Sequence, residues 1–413
     1  MKKFLTLILI LIISVSSFLN LSASAEEIKM IDSEIFVVSR GGDTRLHPQN
    51  SLEAYKACLD LDVDAISATA RKTKDGKIVL FENESTLDIC VDKSGQRIDK
   101  KIAETDYSTL SSYFLLSPDG KALSEKTNSK ILLMTDAFKI IKGKMIMIID
   151  CEAAIIDDVY DAIFFGENAK DVIIRCTDMK AEELLTWANS KTPKPEIMAS
   201  YHGNVIFTAN QVYDFACENN FCGAEFTTKN PYGVIFEDTF TKKFSTVKTL
   251  SRVYDPQLCG GRPDSVTGWE DIISRGYTII ETGNAAEFSA YVSLVETNMS
   301  SLKILYDKYS NMNIVTYSPE STKEFNKCLE EARVILTSEH ASSVTDITKC
   351  IENLKLAAEN LELADGDNTS LIKITPMKIF WIIFAIALFS AAHFYIFKKT
   401  DKKNKGTKKT KKS

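Results

Sequence analysis

Histidine is scarce in this chain, with only four in 413 residues, at positions 47, 202, 340 and 393. Histidine is the usual side chain for moving protons near neutral pH, so few groups are available for that work. The nine cysteines include no C-x-x-C pair of the kind that holds zinc. No sortase-type LPxTG signal precedes the last apolar run. These absences exclude a zinc-finger-like site and attachment to a cell wall through that signal.

The first 25 residues have the three parts of a secretion signal. Lys2 and Lys3 form a basic start, Phe4 to Leu21 an apolar run, and Ala23-Ser24-Ala25 a small-residue cleavage site. Cleavage after residue 25 is predicted. The alternative is an uncleaved anchor helix, because the apolar run is long.

A second apolar run, residues 379–397, contains no Asp, Glu, Lys or Arg. Nineteen helical residues reach roughly 28 Å, close to the hydrocarbon thickness of a bilayer. The tail 398–413 contains nine lysines and one aspartate, and such tails stay in the cytoplasm. We therefore expect a single-pass cell-membrane protein with an extracellular N-terminal body and a linker over 364–378. A buried soluble helix is the alternative, but nothing after the run could cover it.

The body between these ends is acidic. The signal, Lys378 and the tail together contribute a charge of +11. Because the whole chain has a formal net charge of −6, residues 26–377 have a net charge of −17. Such a charge repels nucleic acid and anionic headgroups at long range. No nucleic-acid partner is expected, and the membrane is contacted only through the C-terminal helix.

Most of the cysteines lie among apolar residues and are predicted to be buried as small hydrophobic side chains. Outside the cell a disulfide is possible, and Cys328 with Cys350 is the first pair to test. The odd number leaves at least one thiol unpaired within the chain.

Residues 30–297 alternate short β-rich apolar runs with amphipathic stretches of helical length, which predicts an α/β fold around a parallel sheet. Eight strands over roughly 270 residues fit a TIM (β/α)8 barrel or a doubly wound open sheet. The predicted strands are Phe36–Ser39, Val63–Thr69, Met145–Asp150, Val172–Cys176, Ile197–Tyr201, Phe221–Phe226, Ser251–Tyr254 and Thr278–Thr282.

Four motifs in this region resemble those of the glycerophosphodiester phosphodiesterase family. The family's His-Arg-Gly, Pro-Glu-Asn-Thr, Glu-x-Asp and His-Asp correspond to Ser39-Arg40-Gly41, Pro48-Gln49-Asn50-Ser51, Ser67-Ala68-Thr69 and Asn83-Glu84. Residues 261–282 resemble the family's last βα unit. The resemblance implies the barrel rather than the open sheet. It also implies that the polar stretch 77–127 is the segment that the family inserts over the carboxyl face.

The same resemblance implies a loss of catalytic groups. The family uses two histidines as acid and base, and a Ca or Mg ion held by three carboxylates. Ser39 and Asn83 occupy the histidine positions, Ser67 and Thr69 occupy two ligand positions, and Asp150 is the only retained carboxylate. A hydroxyl or an amide cannot replace imidazole in proton transfer, and neutral hydroxyls are poor ligands for these cations. No cofactor is expected, and a divalent cation only if the protein is active.

Arg40 is the one retained residue of catalytic type. It could bind a phosphate or carboxylate through two N–H groups, or form a structural ion pair with a nearby carboxylate such as Asp64. The ligand-binding candidates are therefore Arg40, Ser67, Thr69, Asn83 and Asp150.

Residues 299–363 contain three apolar stripes at helical spacing and no strand-like run. Ser318-Pro319 and Ser342-Ser343 mark expected helix starts. The unit resembles the FIVAR repeat of bacterial surface proteins, for which a spacer role is the simplest expectation.

Two functions of different class follow from these observations. The preferred hypothesis is an extracellular pseudoenzyme whose barrel binds a small phosphodiester or cell-surface ligand. The alternative is an active phosphoric diester hydrolase that uses Arg40, His47, Asp150 and one of Glu82 or Glu84. A glycosidase-type barrel with paired carboxylates is a third possibility, but no such pair is evident at a strand end. His202 is the other histidine that could approach the barrel mouth.

Overall fold

The computed structural model describes residues 35–61, 63–116, 118, 128–165, 171–228, 230, 232–243, 249–253, 264–338 and 342–364. The predicted signal 1–25, membrane helix 379–397 and basic tail 398–413 lie outside these residues. Among the helices that are described, none is both long and apolar enough to cross a bilayer.

The strands confirm the expected alternation, since each of the eight predicted strands overlaps an observed one. They are β1 (Phe36–Arg40), β2 (Ala65–Lys72), β3 (Ile78–Leu80), β4 (Cys90–Val91), β5 (Phe114–Leu115), β6 (Leu132–Leu133), β7 (Ile146–Cys151), β8 (Val172–Cys176), β9 (Glu196–His202), β10 (Gly223–Thr228), β11 (Thr249–Val253) and β12 (Ile279–Thr282).

Eight of these strands form a closed parallel ring in the order β1, β2, β7, β8, β9, β10, β11, β12 and back to β1. Val38 of β1 pairs with Ala65 on one side and with Glu281 on the other, which closes the ring. The barrel prediction is therefore confirmed, and the open sheet is wrong.

The helices follow the strands in chain order. They are α1 (Leu52–Cys58), α2 (Tyr107–Leu110), α3 (Met134–Ile141), α4 (Ile156–Phe165), α5 (Ala181–Asn189), α6 (Ile206–Glu218), α7 (Asp238–Thr241), α8 (Val266–Ser274), α9 (Ala285–Ser310), α10 (Pro319–Leu336) and α11 (Val344–Glu359).

Strand side chains alternate between two apolar layers, as the pleat requires. One layer fills the lower barrel interior and includes Val38, Ala65, Ile148, Met198 and Ile279. The other layer faces the surrounding helices and continues into the hairpin formed by α10 and α11. This alternation fixes which side chains further along each strand point into the barrel.

The segment between β2 and β7 has a small core of its own. Phe81, Cys90, Ile102, Leu110 and Leu115 are buried together. β3 pairs antiparallel with both β2 and β6, and β4 pairs antiparallel with β5. The described part of the predicted insertion is thus a small subdomain joined to the second barrel strand.

Helix α9 runs without a break through the predicted boundary between the barrel and the helical unit at residues 297–299. It contacts β1 and also packs against α10 and α11. The Tyr291 hydroxyl accepts a hydrogen bond from Val344 N at 3.2 Å, and Thr345 Oγ1 donates to Glu270 at 2.7 Å. The described barrel and the hairpin therefore form one compact unit.

The hairpin helices begin where the sequence predicts. α10 starts at Pro319, and Ser343 caps α11 by accepting from Asp346 N. Cys328 and Cys350 are both buried free thiols on these facing helices. Burial raises the pKa of Cys350 to about 11, with smaller contributions from Glu331 and Cys328. Pairing of these two cysteines remains a prediction.

Candidate ligand site at the barrel mouth

The loop from β1 to α1 is shaped by two glycines with positive φ angles, +72° at Gly41 and +92° at Gly42. A Cβ on Gly42 would lie 2.7 Å from the Cβ of Ala54, so the loop requires glycine there. Gly41 N donates to Ser67 O at 2.8 Å, and Ser51 caps the helix that follows. These contacts hold the loop over the carboxyl end of the barrel.

Arg40 lies at the end of β1 and pairs with Asp264, with Nη2 3.4 Å from Oδ2. Asp264 Oδ1 also accepts from Gly283 N at 2.6 Å and from Thr282 Oγ1 at 2.9 Å. Asp64 instead accepts from Val37 N. An ion pair of Arg40 therefore exists, but the suggested partner Asp64 is wrong because the acceptor comes from the last βα unit.

A cleft of about 380 Å³ opens beside this pair, between the first loop and the inserted segment. Polar side chains of Arg40, Thr44, His47, Gln49 and Asp88 line it, together with apolar surface. The apolar part consists of Pro48, Ile89, Leu116 and Pro118. The cleft can therefore receive a small ligand that has both a polar end and an apolar part.

The two hydroxyls of β2 point into the barrel, as the alternation predicts. Ser67 pairs in register with Arg40 and is only 2% exposed. Its Oγ has no hydrogen-bond partner among the described residues, and the same is true of the buried Thr227 Oγ1. Thr69 Oγ1 donates to Glu82 at 3.0 Å. Unpaired buried hydroxyls are unusual, so the interior above the apolar layer has spare hydrogen-bonding capacity.

A buried ion cluster fills the middle of the barrel. Arg175 of β8 is fully buried and binds Asp150 through Nε and through Nη2, the latter at 2.7 Å. It also contacts Glu225 at 3.3 Å and Glu281 at 3.2 Å. Burial alone would lower the pKa of Arg175, but the three carboxylates have the larger effect and raise that pKa above its usual value. The cluster holds strands β7, β8, β10 and β12 around one cation.

This cluster changes the interpretation of Asp150. The family resemblance gave Asp150 as the only retained carboxylate among the ligand positions, but both of its oxygens face the Arg175 guanidinium. Across the described part of the chain, no three His, Cys, Asp or Glu side chains are arranged to hold a metal. Because Thr69 and Ser67 add only neutral hydroxyls, the residues present do not fit the family's divalent cation.

Other candidates lie apart from the cleft. Ser39 is fully buried and contacts the thiol of Cys58, whose pKa burial raises to about 11. Asn83 is half-buried, and neither residue is among those that line the described cleft. His202 is exposed at the end of β9. Of the sequence candidates, Arg40 and His47 share the cleft, and Ser67 adjoins Arg40 on the next strand.

Sequence reasoning missed Arg175, Glu225 and Glu281 as members of the site. Each is a charged residue within a short apolar strand, as in Ile173-Ile174-Arg175-Cys176 and Ile280-Glu281-Thr282. Such residues are rarely buried unless they are paired, and that signal was available. Their convergence on one point could not be recognised, because they are distant in the sequence.

The fold and the site define a closed (β/α)8 barrel with a polar mouth and a buried ion cluster of one arginine and three carboxylates. No protein-family model and no curated protein matches the sequence.

Several solved structures are similar to the chain. A glycerophosphoryl diester phosphodiesterase from Parabacteroides distasonis is 18% identical over 64% of this chain and 88% of that one, with a TM-score of 0.49. A protein from Silicibacter pomeroyi, described as a glycerophosphoryl diester phosphodiesterase, is 13% identical over 64% and 96%, with a TM-score of 0.48. An Oleispira antarctica phosphodiesterase, in complex with its product sn-glycerol-3-phosphate, is 14% identical over 62% and 95%, with a TM-score of 0.47.

The likeness of these structures to the chain is one of fold alone.

Proposed function

We propose that this protein is a catalytically inactive, glycerophosphodiester phosphodiesterase-like barrel that binds a small anionic ligand at its mouth. The observation that carries the proposal is the pairing of the arginines of β1, β2 and β8 with carboxylates of the same chain. Arg40 pairs with Asp264, Arg71 with Glu152, and Arg175 with its three partners.

Inactivity follows from the chemistry of these groups. Diester hydrolysis needs a positioned acid and base and stabilisation of the charge that develops on the phosphoryl oxygens. The guanidinium of Arg175 is fully buried and faces Asp150, Glu225 and Glu281, so it cannot reach a substrate in the cleft. The hydroxyl of Ser39 is buried against Cys58 and cannot reach one either.

Ligand binding is supported by the open cleft beside Arg40. The Arg40 side chain is 22% exposed, and the unpaired Ser67 hydroxyl lies opposite it on the neighbouring strand. An anion that displaced the Asp264 carboxylate would gain charge-assisted hydrogen bonds from Arg40. The apolar patch of Ile89 and Leu116 would contact the remainder of the ligand. Glycerol 3-phosphate and glycerophosphodiesters have the size and polarity for this cleft.

The test combines turnover and binding on the purified protein. We expect no hydrolysis of glycerophosphocholine above the buffer rate with Ca²⁺ or Mg²⁺. We expect glycerol 3-phosphate to bind by calorimetry, and Arg40→Ala to weaken that binding at least tenfold. Arg333→Ala, in the exposed part of the hairpin, is the matched control and should bind as the wild type does. Turnover at an enzyme-like rate, or equal binding by both variants, would overturn the proposal.

One observation favours an active enzyme as the second candidate. His47 lines the same cleft as Arg40 and Asp88, which brings an imidazole, a carboxylate and an anion-binding group to one place. For an active enzyme of this kind, His47→Ala abolishes hydrolysis of glycerophosphocholine. Asp150 does not belong to this set, because its carboxylate is engaged by Arg175.

Membrane anchoring is a separate part of the proposal, supported by the sequence of residues 1–25 and 379–413. A chain ending at residue 364 should be found in the medium, whereas the full chain should remain with the membrane fraction. Recovery of both in the cytoplasm would contradict an extracellular location.

A further inference from the structure

Two cysteines face each other across neighbouring barrel strands. Cys151 is the last residue of β7, Cys176 is the last residue of β8, and the two are paired in register. Adjacent strands lie about 4.8 Å apart, and a disulfide requires its Cα atoms about 4.4–6.8 Å apart. The backbone spacing therefore suits a disulfide without a large movement.

The side chains are placed for the same bond. Both thiols point away from the barrel interior into the layer between strands and helices, and they are only 3% and 1% exposed. The contact with the Cys176 thiol, followed by burial, raises the pKa of Cys151. Cys176 Sγ donates to Asp178 Oδ1 at 3.1 Å, and the same oxygen accepts from Ala153 N at 2.8 Å. The loops after β7 and β8 are thus already connected by a hydrogen bond at this point.

We propose that Cys151 and Cys176 form a cross-strand disulfide when the chain meets an oxidising disulfide. In the reaction two S–H bonds break and one S–S bond forms. The two electrons and two protons pass to a small organic disulfide, which is reduced to two thiols by exchange through a mixed disulfide. Because both thiols are buried, the exchange proceeds during folding or through local opening of the strand ends.

The disulfide would lie next to the ion cluster of the barrel. Asp150 and Arg175 immediately precede the two cysteines and form an ion pair across the same two strands. A covalent link one residue further along fixes the β7–β8 register at the barrel mouth. It also closes a loop of intermediate length, which restricts the unfolded chain.

The test uses the full chain with oxidised glutathione as the oxidant. After incubation, remaining thiols are blocked with N-ethylmaleimide in denaturant, and the protein is digested with trypsin without reduction. The two cysteines fall in separate tryptic peptides, residues 145–170 and 176–180. We expect these peptides to be joined, two mass units lighter than their sum, and to separate on reduction.

Stability provides a second readout on the same samples. We expect oxidation to raise the unfolding temperature by on the order of 5 °C, and reductant to abolish the rise. Cys176→Ser should remove both the joined peptide and the rise, whereas Cys58→Ser, at another buried thiol, should keep both. The proposal is overturned if Cys151 and Cys176 are found alkylated or carry only glutathione, whether or not Cys328 and Cys350 are joined. The wild-type peptide measurement decides the question even if a variant fails to fold.

Discussion

Arg40 and Asp264 are 224 positions apart in the sequence, yet their charged groups meet at 3.4 Å at the carboxyl end of the barrel. Asp264 is held in place by Gly283 N and Thr282 Oγ1, so the carboxylate is fixed where the anionic end of a ligand would bind. Any anion that binds Arg40 must compete with this residue.

Substitution Asp264→Asn should strengthen anion binding. The amide oxygen can still accept from Gly283 and Thr282, but the negative charge beside Arg40 is lost. We expect the affinity for glycerol 3-phosphate to rise roughly tenfold, which is about 1.4 kcal/mol. Calorimetry at low ionic strength measures this, because screening weakens the effect at high salt. An unchanged affinity would show that the ligand binds away from Arg40.

Substitution Arg175→Met should be strongly destabilising. It leaves Asp150, Glu225 and Glu281 in the barrel interior without their cation, and breaking a buried pair in this way costs about 3–5 kcal/mol. Urea unfolding followed by circular dichroism measures the loss. Arg71→Met is the matched control, since its partner Glu152 is largely exposed and such pairs contribute about 1 kcal/mol or less. Equal losses in the two variants would contradict the importance assigned to the buried cluster.

Alanine substitutions at two glycines with positive φ distinguish the cost of a steric conflict from the cost of backbone strain. At Gly42 an added Cβ would lie 2.7 Å from the Ala54 Cβ and 2.8 Å from the Ala54 carbonyl carbon. At Gly143 it would meet no atom within 4 Å beyond its chain neighbours. Gly143→Ala should therefore lose about 1 kcal/mol from the left-handed backbone alone. Gly42→Ala should lose about 2–4 kcal/mol from strain and crowding together. Matching denaturation midpoints would contradict the close approach of the first loop to α1.

Stability should fall as the pH rises above about 9, in part through Cys90. Burial raises the pKa of this thiol from 9.0 to about 12. Between these values the unfolded chain releases the proton and the folded protein keeps it, so unfolding becomes easier with rising pH. The slope from this residue is on the order of 1 kcal/mol per pH unit, and below pH 9 it disappears.

Urea unfolding between pH 8 and 11, with reductant present, measures this slope. Cys90→Ala should be less stable at pH 8 but show a shallower decline. Val91→Ala is the control, because it removes core volume from the same strand without a titratable group and should keep the wild-type slope. A Cys90→Ala slope equal to that of Val91→Ala would refute the assignment.

The barrel strands could be predicted because each is a local apolar run of strand length, flanked by helical periodicity. That pattern also fits an open sheet, and only the family resemblance favoured the barrel. The insertion was also recognisable, since its turn-rich composition interrupts that alternation. The partners of Arg175 could not be predicted in the same way. Asp150, Glu225 and Glu281 come from three different strands, and only closure of the ring brings them to one guanidinium. Asp150 was placed at a family ligand position by the resemblance alone, and its own strand gives no sign of the arginine opposite.

At residues 297–299 the sequence suggested a boundary where the structure has one continuous helix. The apolar pattern changes there, which suggested the end of a domain. The segment from Ala285 to Ser310 nevertheless contains no Gly or Pro, so nothing in the backbone interrupts α9. A change of packing partner along one helix looks like a boundary in sequence although the helix continues.

The continuity of α9 has a practical and a mechanical consequence. Cutting the chain near residue 298 would divide helix α9 and expose apolar surface on both fragments. The hairpin therefore cannot be moved to another protein as an independent domain. A macromolecule bound to the hairpin would therefore fix the orientation of the barrel. A force applied to α10 and α11 would be transmitted through α9 to the part of the barrel that contains β1.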